Sequence, residues 1–186
     1  MAQTTFSGPL RTENGFEQIT IDSEGVATTN LDIDSSGNLS TSGSLSFTGT
    51  SGVLITPVLL ADADANITAA THGGRTNVVP ALGGNRTLTL PTPTAGMYFK
   101  FIYGGAAEEA ENLIIDTGAD ANFFIGGVTH ITGTPASIYA DGNSNSILTL
   151  TDFGLMDINI LGKDGTNWYI WGSQQGADAP AFTDQS

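Results

Sequence analysis

Cysteine is absent from the 186 residues. Stability must therefore come from core packing or from association between subunits rather than from disulfides. Thiolate-built zinc and iron–sulfur sites are excluded as well. Basic charge is scarce too: five Lys and Arg stand against 19 Asp and Glu, for a net charge of −14. Such a surface repels phosphate backbones and anionic headgroups, so neither nucleic acid nor membrane is an expected partner. Apolar runs are too short to span a bilayer. The opening Met1-Ala2-Gln3-Thr4-Thr5 lacks the basic start and apolar stretch of a secretory signal, which predicts a mature protein beginning near Met1.

Helix signals are nearly missing. Ala106-Ala107-Glu108-Glu109-Ala110-Glu111 predicts a single turn, too short to persist without tertiary support. Leu59–Ala70 has poor apolar spacing and reads as loop or short strand. Charged residues make up only 13% of the chain, and Gly, Ser, Thr and Asn carry the polar surface. That blend favours strands joined by tight turns over a charge-rich disordered chain.

Residues 1–56 read as an extended N-terminal β arm with little core of its own. Within it Ile19-Thr20-Ile21-Asp22-Ser23-Glu24-Gly25 is echoed 12 residues later by Leu31-Asp32-Ile33-Asp34-Ser35-Ser36-Gly37. Such thin units gain stability by stacking on copies, including copies from other subunits. The apolar positions of the arm, Phe6, Phe16, Ile19, Ile21, Leu31 and Ile33, are thus expected at an interface.

Residues 57–174 carry stronger strands. Arg86–Leu90 alternates cleanly and stops at Pro91 and Pro93. In Met97–Tyr103, residues Met97, Phe99, Phe101 and Tyr103 share one face. Further strands are expected at Asn112–Asp116, Asn122–Ile131, Ile138–Ala140 and Ser146–Thr151. Met156–Leu161 and Trp168–Trp171 flank Lys163-Asp164-Gly165-Thr166, whose Asp-Gly pair suits a tight hairpin. Alternation puts Trp168 and Ile170 on one face of the last strand, Tyr169 and Trp171 on the other. The latter pair is expected at a subunit interface, or on a platform that stacks sugar rings. Short strands with regular turns predict an all-β domain, a β-sandwich or jelly-roll-like barrel. Residues 175–186 are expected to project as a polar tail.

Two segments imitate chemistry. Asp116-Thr117-Gly118-Ala119 resembles the signature of retropepsin-type aspartic proteases, with Gly162-Lys163-Asp164 as a loose second motif. In that reading Asp116 shares a proton with its copy in a second subunit. The family's Arg is Lys163 here, however, and Asp-Thr-Gly is an ordinary turn exit from a strand. Asp32-Ile33-Asp34-Ser35-Ser36-Gly37 opens like a calcium loop, but the twelfth position is Gly43 where a bidentate Glu belongs. Neither His72 nor His130 has a patterned partner. No catalytic residue, cofactor or metal is expected.

Three further stretches carry a resemblance: Phe6-Ser7-Gly8-Pro9-Leu10-Arg11-Thr12-Glu13-Asn14-Gly15-Phe16, the region from Thr71-His72-Gly73-Gly74 to Tyr98-Phe99-Lys100-Phe101, and Asp164-Gly165-Thr166-Asn167-Trp168-Tyr169. Together they resemble small virion proteins of tailed phages, chiefly capsid decoration (cement) proteins and less often fibre components. The resemblance implies a non-enzymatic homotrimer on the capsid surface, with the major capsid protein as its partner. A fibre subunit that binds host glycan is the alternative it leaves.

Overall fold

The computed structural model describes residues 16–21, 27–33, 39–41 and 55–185. The chain divides into two compact units, Met1–Val53 and Leu54–Ser186. In the first, β1 (Phe16–Ile21), β2 (Ala27–Ile33) and β3 (Leu39–Thr41) form an antiparallel sheet in that order. The last three residues of β1, 19–21, and of β2, 31–33, are the openings of the two echoing segments. Phe16 pairs with Ile33 and Ile21 with Ala27, and a register shift lies between Gln18 and Ile19. Ile33 is exposed.

The second unit is an all-β sandwich. Its strands are β4 (Val58–Leu59), β5 (Ala65–Asn66), β6 (Thr76–Val79), β7 (Arg86–Thr89), β8 (Tyr98–Tyr103) and β9 (Leu113–Asp116). They continue with β10 (Phe123–His130), β11 (Ala136–Tyr139), β12 (Ile147–Leu150), β13 (Phe153–Gly162), β14 (Asn167–Gly176) and β15 (Ala181–Thr183). A seven-stranded sheet has the order β11-β10-β14-β13-β8-β6-β4, and a five-stranded sheet the order β15-β12-β9-β7-β5.

The first half is wound rather than folded into hairpins. From β4 to β9 the chain visits the two sheets alternately, and each strand pairs in parallel with the strand two places on. Val58, Asn77 and Phe101 stack in one row, and Ala65, Leu88 and Ile115 in another. The second half supplies mainly antiparallel partners, including the expected hairpin β13–β14, which pairs Gly162 with Trp168. β10 joins β14 in parallel. The parallel pairs distinguish this sandwich from an antiparallel jelly roll.

Alternation fills the interior, interrupted by a register shift between Phe153 and Met156. Phe99, Phe101, Phe124, Phe153, Ile158, Ile160 and Trp168 are wholly buried on the seven-stranded sheet, facing Leu113, Ile115, Leu148 and Leu150 of the other. Phe99 and Trp168 lie 5.8 Å apart between ring centroids. Tyr103 meets Phe153 edge-on at 5.2 Å. Each such side chain contributes roughly 1.5–3 kcal/mol on burial.

Three local expectations are corrected. Ala106–Glu111 is a bent loop, because its polar groups bond outward rather than along a helix. Tyr103 Oη donates to Ala107 O and to Glu109, Leu82 N donates to Glu109 Oε2, and Ala177 N donates to Glu108. The helical turn is instead α1 (Ala69–His72), capped by Thr68, whose Oγ1 accepts from Thr71 N at 3.3 Å. Residues 177–185 do not project: β15 pairs with β12, and Phe182 packs edge-on against Phe124 at 6.0 Å.

Candidate functional site

The hairpin β13–β14 separates two tryptophans by face. Trp168 is fully buried, whereas Trp171 remains 46% exposed. The outer face of the seven-stranded sheet therefore carries Tyr98 and Lys100 on β8, Asp157 and Asn159 on β13, Tyr169 and Trp171 on β14, and Tyr139 on β11. Tyr169 is 40% and Tyr139 70% exposed.

Register aligns these groups. One row runs Lys100, Asn159, Trp171, Gly127, Tyr139 across five strands. Gly127 leaves a gap that the Tyr139 ring occupies: a Cβ there would lie 2.7 Å from Tyr139 Cδ1. Beside it Gly126 has φ +122°, and a Cβ would come within 2.1 Å of Ile170 O, so only glycine lets β10 approach β14.

A hydrogen-bonded chain links β8 and β13 at one end of the row. Lys100 Nζ donates to Asp157 Oδ2 at 2.8 Å, Asn159 Nδ2 donates to Asp157 Oδ1 at 2.8 Å, and Tyr98 Oη donates to Asn159 Oδ1 at 2.6 Å. The Asp157 carboxylate holds the Lys100 ammonium above its ordinary pKa. Both charged groups of the face are thus spent on each other, while spare N–H groups and lone pairs still point outward.

A second feature is the start of the winding. β4 and β5 are two-residue strands, each at an edge of its sheet. Leu59 of β4 is 79% exposed, and Ile55, just before that strand, 54%. A third is a 320 Å³ cavity lined by Tyr103, Ala106, Ala107, Gly154 and Leu155. Burial, then the Glu109 hydrogen bond, push the Tyr103 phenol up to about 12.

The sequence-derived sites fare unevenly. Tyr169 and Trp171 come together on the outer face. Phe6 and Asp34 lie outside the described residues, and Phe16, Ile19, Ile21, Leu31 and Asp32 are placed by backbone register alone. Asp116 ends β9, where Gly118 N donates to its Oδ1 at 2.7 Å and the Gln185 amide reaches both oxygens at 3.2 and 2.9 Å. Thr117 is buried and donates to Asn122 O, and Gly118 has φ +81°. Asp-Thr-Gly here builds a strand-ending turn. Gly162-Lys163-Asp164 lies in the other sheet's hairpin. Among the described residues no cluster of three metal-ligating side chains occurs. Tyr98, Asn159 and Tyr139 were missed as site residues, although outward alternation beside Trp171 would have found the first two.

Comparison with family models, curated proteins and solved structures returns no match.

Proposed function

We propose that this protein is a non-enzymatic structural subunit of a tailed-phage virion, a decoration protein that trimerises and binds the major capsid protein on the head surface. The observation that carries this reading is the open start of the winding. There one edge of each sheet is a two-residue strand, with Leu59 and Ile55 left in water. Edges this short offer few ladder groups to a partner strand, so the apolar side chains beside them carry the contact: Leu59 and Ile55 gain by being covered. Three copies around an axis cover these apolar side chains for one another, and the apolar positions of residues 1–56 supply contacts to the shell. Each contact is modest, and a repeating array multiplies it. The acidic surface keeps assembled particles apart.

Native mass spectrometry of the full chain tests the reading: three chain masses are expected, falling toward one when Leu59 and Ile55 are both changed to Ser. Quantifying the protein in purified particles is the companion measurement, with hundreds of copies expected. A stable monomer that never binds capsids would sink it, as would peptidase activity that Asp116→Asn abolishes.

A further inference from the structure

We propose that the outer face of the seven-stranded sheet, centred on Trp171, is a binding platform for a neutral oligosaccharide. The reading is independent of the assembly edge, since it uses different strands and a different surface.

The first observation is the aromatic surface. Trp171 and Tyr98 pack with ring centroids 6.4 Å apart and planes inclined by 27°. Tyr169 extends this surface along β14, and Tyr139 resumes it beyond the side-chain-free Gly127. From β8 to β11 the row crosses four strand gaps, about 19 Å at the usual ladder spacing. The C–H faces of pyranose rings are apolar and slightly positive, which suits the negative face of an aromatic ring. A linear chain of sugars matches a row better than a single compact ligand does.

The second observation is polar. Lys100, Asp157 and Asn159 are already oriented by one another. Each keeps capacity for a further bond: two ammonium hydrogens, one amide hydrogen and carboxylate lone pairs. Donors and acceptors in alternation are what vicinal hydroxyls satisfy. Because these groups are preorganised, binding orders few side chains.

The third observation is charge. On a chain of net charge −14, the outward positions of β8, β13, β14, β10 and β11 carry one cation, Lys100, and one anion, Asp157, and they are bonded to each other. The strip itself is neutral, and the molecule around it repels anions. An uncharged saccharide fits both conditions. An acidic polysaccharide does not.

The test uses the full-length protein with cellohexaose, maltohexaose and chitohexaose as neutral probes and a hexagalacturonate as the acidic one. Trp171 is the exposed one of the two indoles, so its fluorescence should shift to the blue and resist acrylamide quenching as a neutral probe saturates. Trp171→Ala should weaken binding by isothermal calorimetry by about tenfold or more. Tyr139→Ala should weaken it less, and Leu59→Ser should leave it unchanged. Circular dichroism of each variant checks folding. The proposal is overturned if none of the neutral probes binds, if the acidic probe binds as well as they do, or if Trp171→Ala leaves sugar binding intact and alters the oligomer mass instead.

Discussion

Tyr98 and Trp171 stack across an intervening strand: β8 and β14 do not pair, yet the two rings lie 6.4 Å apart over β13. The contact is diagonal: Trp171 is in register with Asn159, and Tyr98 with the neighbouring outward residue Leu161; Asn159 accepts the Tyr98 hydroxyl at 2.6 Å. Tyr98→Phe keeps the stack and removes that donor. The expected loss in stability is about 0.5–1.5 kcal/mol, the net value of one such bond, read as a lower midpoint in urea at unchanged slope. A larger loss would mean that the hydrogen-bonded chain to Lys100 acts as one unit.

Gly126 tests the close approach of β10 to β14. Alanine there meets both a positive φ and the Ile170 carbonyl, so Gly126→Ala should cost more than about 2 kcal/mol. In a chain of this size that lowers Tm by roughly 2–4 °C per kcal/mol. Gly165→Ala, with no described atom within 4 Å of the added methyl, is the control and should stay within about 0.5 kcal/mol.

Much of this fold is legible in the sequence. Alternation in Met97–Tyr103 and the Asp-Gly turn before Trp168 locate β8 and the β13–β14 hairpin, because one face of each strand is buried and Asp164 accepts the N–H groups of Thr166 and Asn167 in the turn, although Gly165 has no positive φ there. The winding is not legible. β4 and β5 have two residues each, too few for a period to show. β6 places a polar Asn77 inward, which disguises its alternation, and parallel pairing between strands two places apart leaves no local trace. The outer face is partly legible: the alternation Trp168-Tyr169-Ile170-Trp171 separates core from surface, whereas Tyr139 joins it only through register with Gly127. The tail misleads because a single apolar residue, Phe182, docks it.

That docking yields a sharp test. Deleting residues 180–186 removes the pairing of β15 with β12, the Phe182–Phe124 contact and the Gln185 bonds to Asp116. A stability loss of about 2–5 kcal/mol is expected, comparable with truncating one buried aromatic, and measured by chemical denaturation. A projecting tail would leave the midpoint unmoved.

Acid should weaken the molecule through two loops. The Asp141 carboxylate accepts backbone N–H groups from Ser144, Asn143 and Asn145 and the Ser144 hydroxyl. Asp164 accepts the Asn167 amide and the N–H groups of Thr166 and Asn167. Both are held far below the ordinary carboxylate range by these bonds. With the folded value depressed, the unfolded chain takes up protons first. The stabilisation is therefore complete above about pH 5 and is lost as pH falls through the ordinary carboxylate value near 4 and below. Thermal melts from about pH 6 to pH 2 should show that decline, and Asp141→Asn with Asp164→Asn should flatten it.

Asn77 offers the most discriminating substitution in the winding. It is fully buried, and its Nδ2 donates toward His72 O at 3.2 Å, Arg75 O at 3.3 Å and Lys100 O at 3.1 Å, tying α1 and the following turn to the β6–β8 pair. Asn77→Ala strands those carbonyls and should cost about 1–3 kcal/mol. Asn77→Asp keeps the shape but aims a carboxylate at three carbonyl oxygens, so at neutral pH it should cost more, about 3–5 kcal/mol. Burial and the carbonyls raise that carboxyl's folded pKa above its unfolded value, so the penalty is present at high pH and relaxes as pH falls and the group takes a proton. The gap in Tm between Asn77→Asp and the native chain should narrow from about pH 8 to pH 5. A gap that stays constant, or an aspartate variant no worse than the alanine one, would show that the amide hydrogens do not hold this corner together.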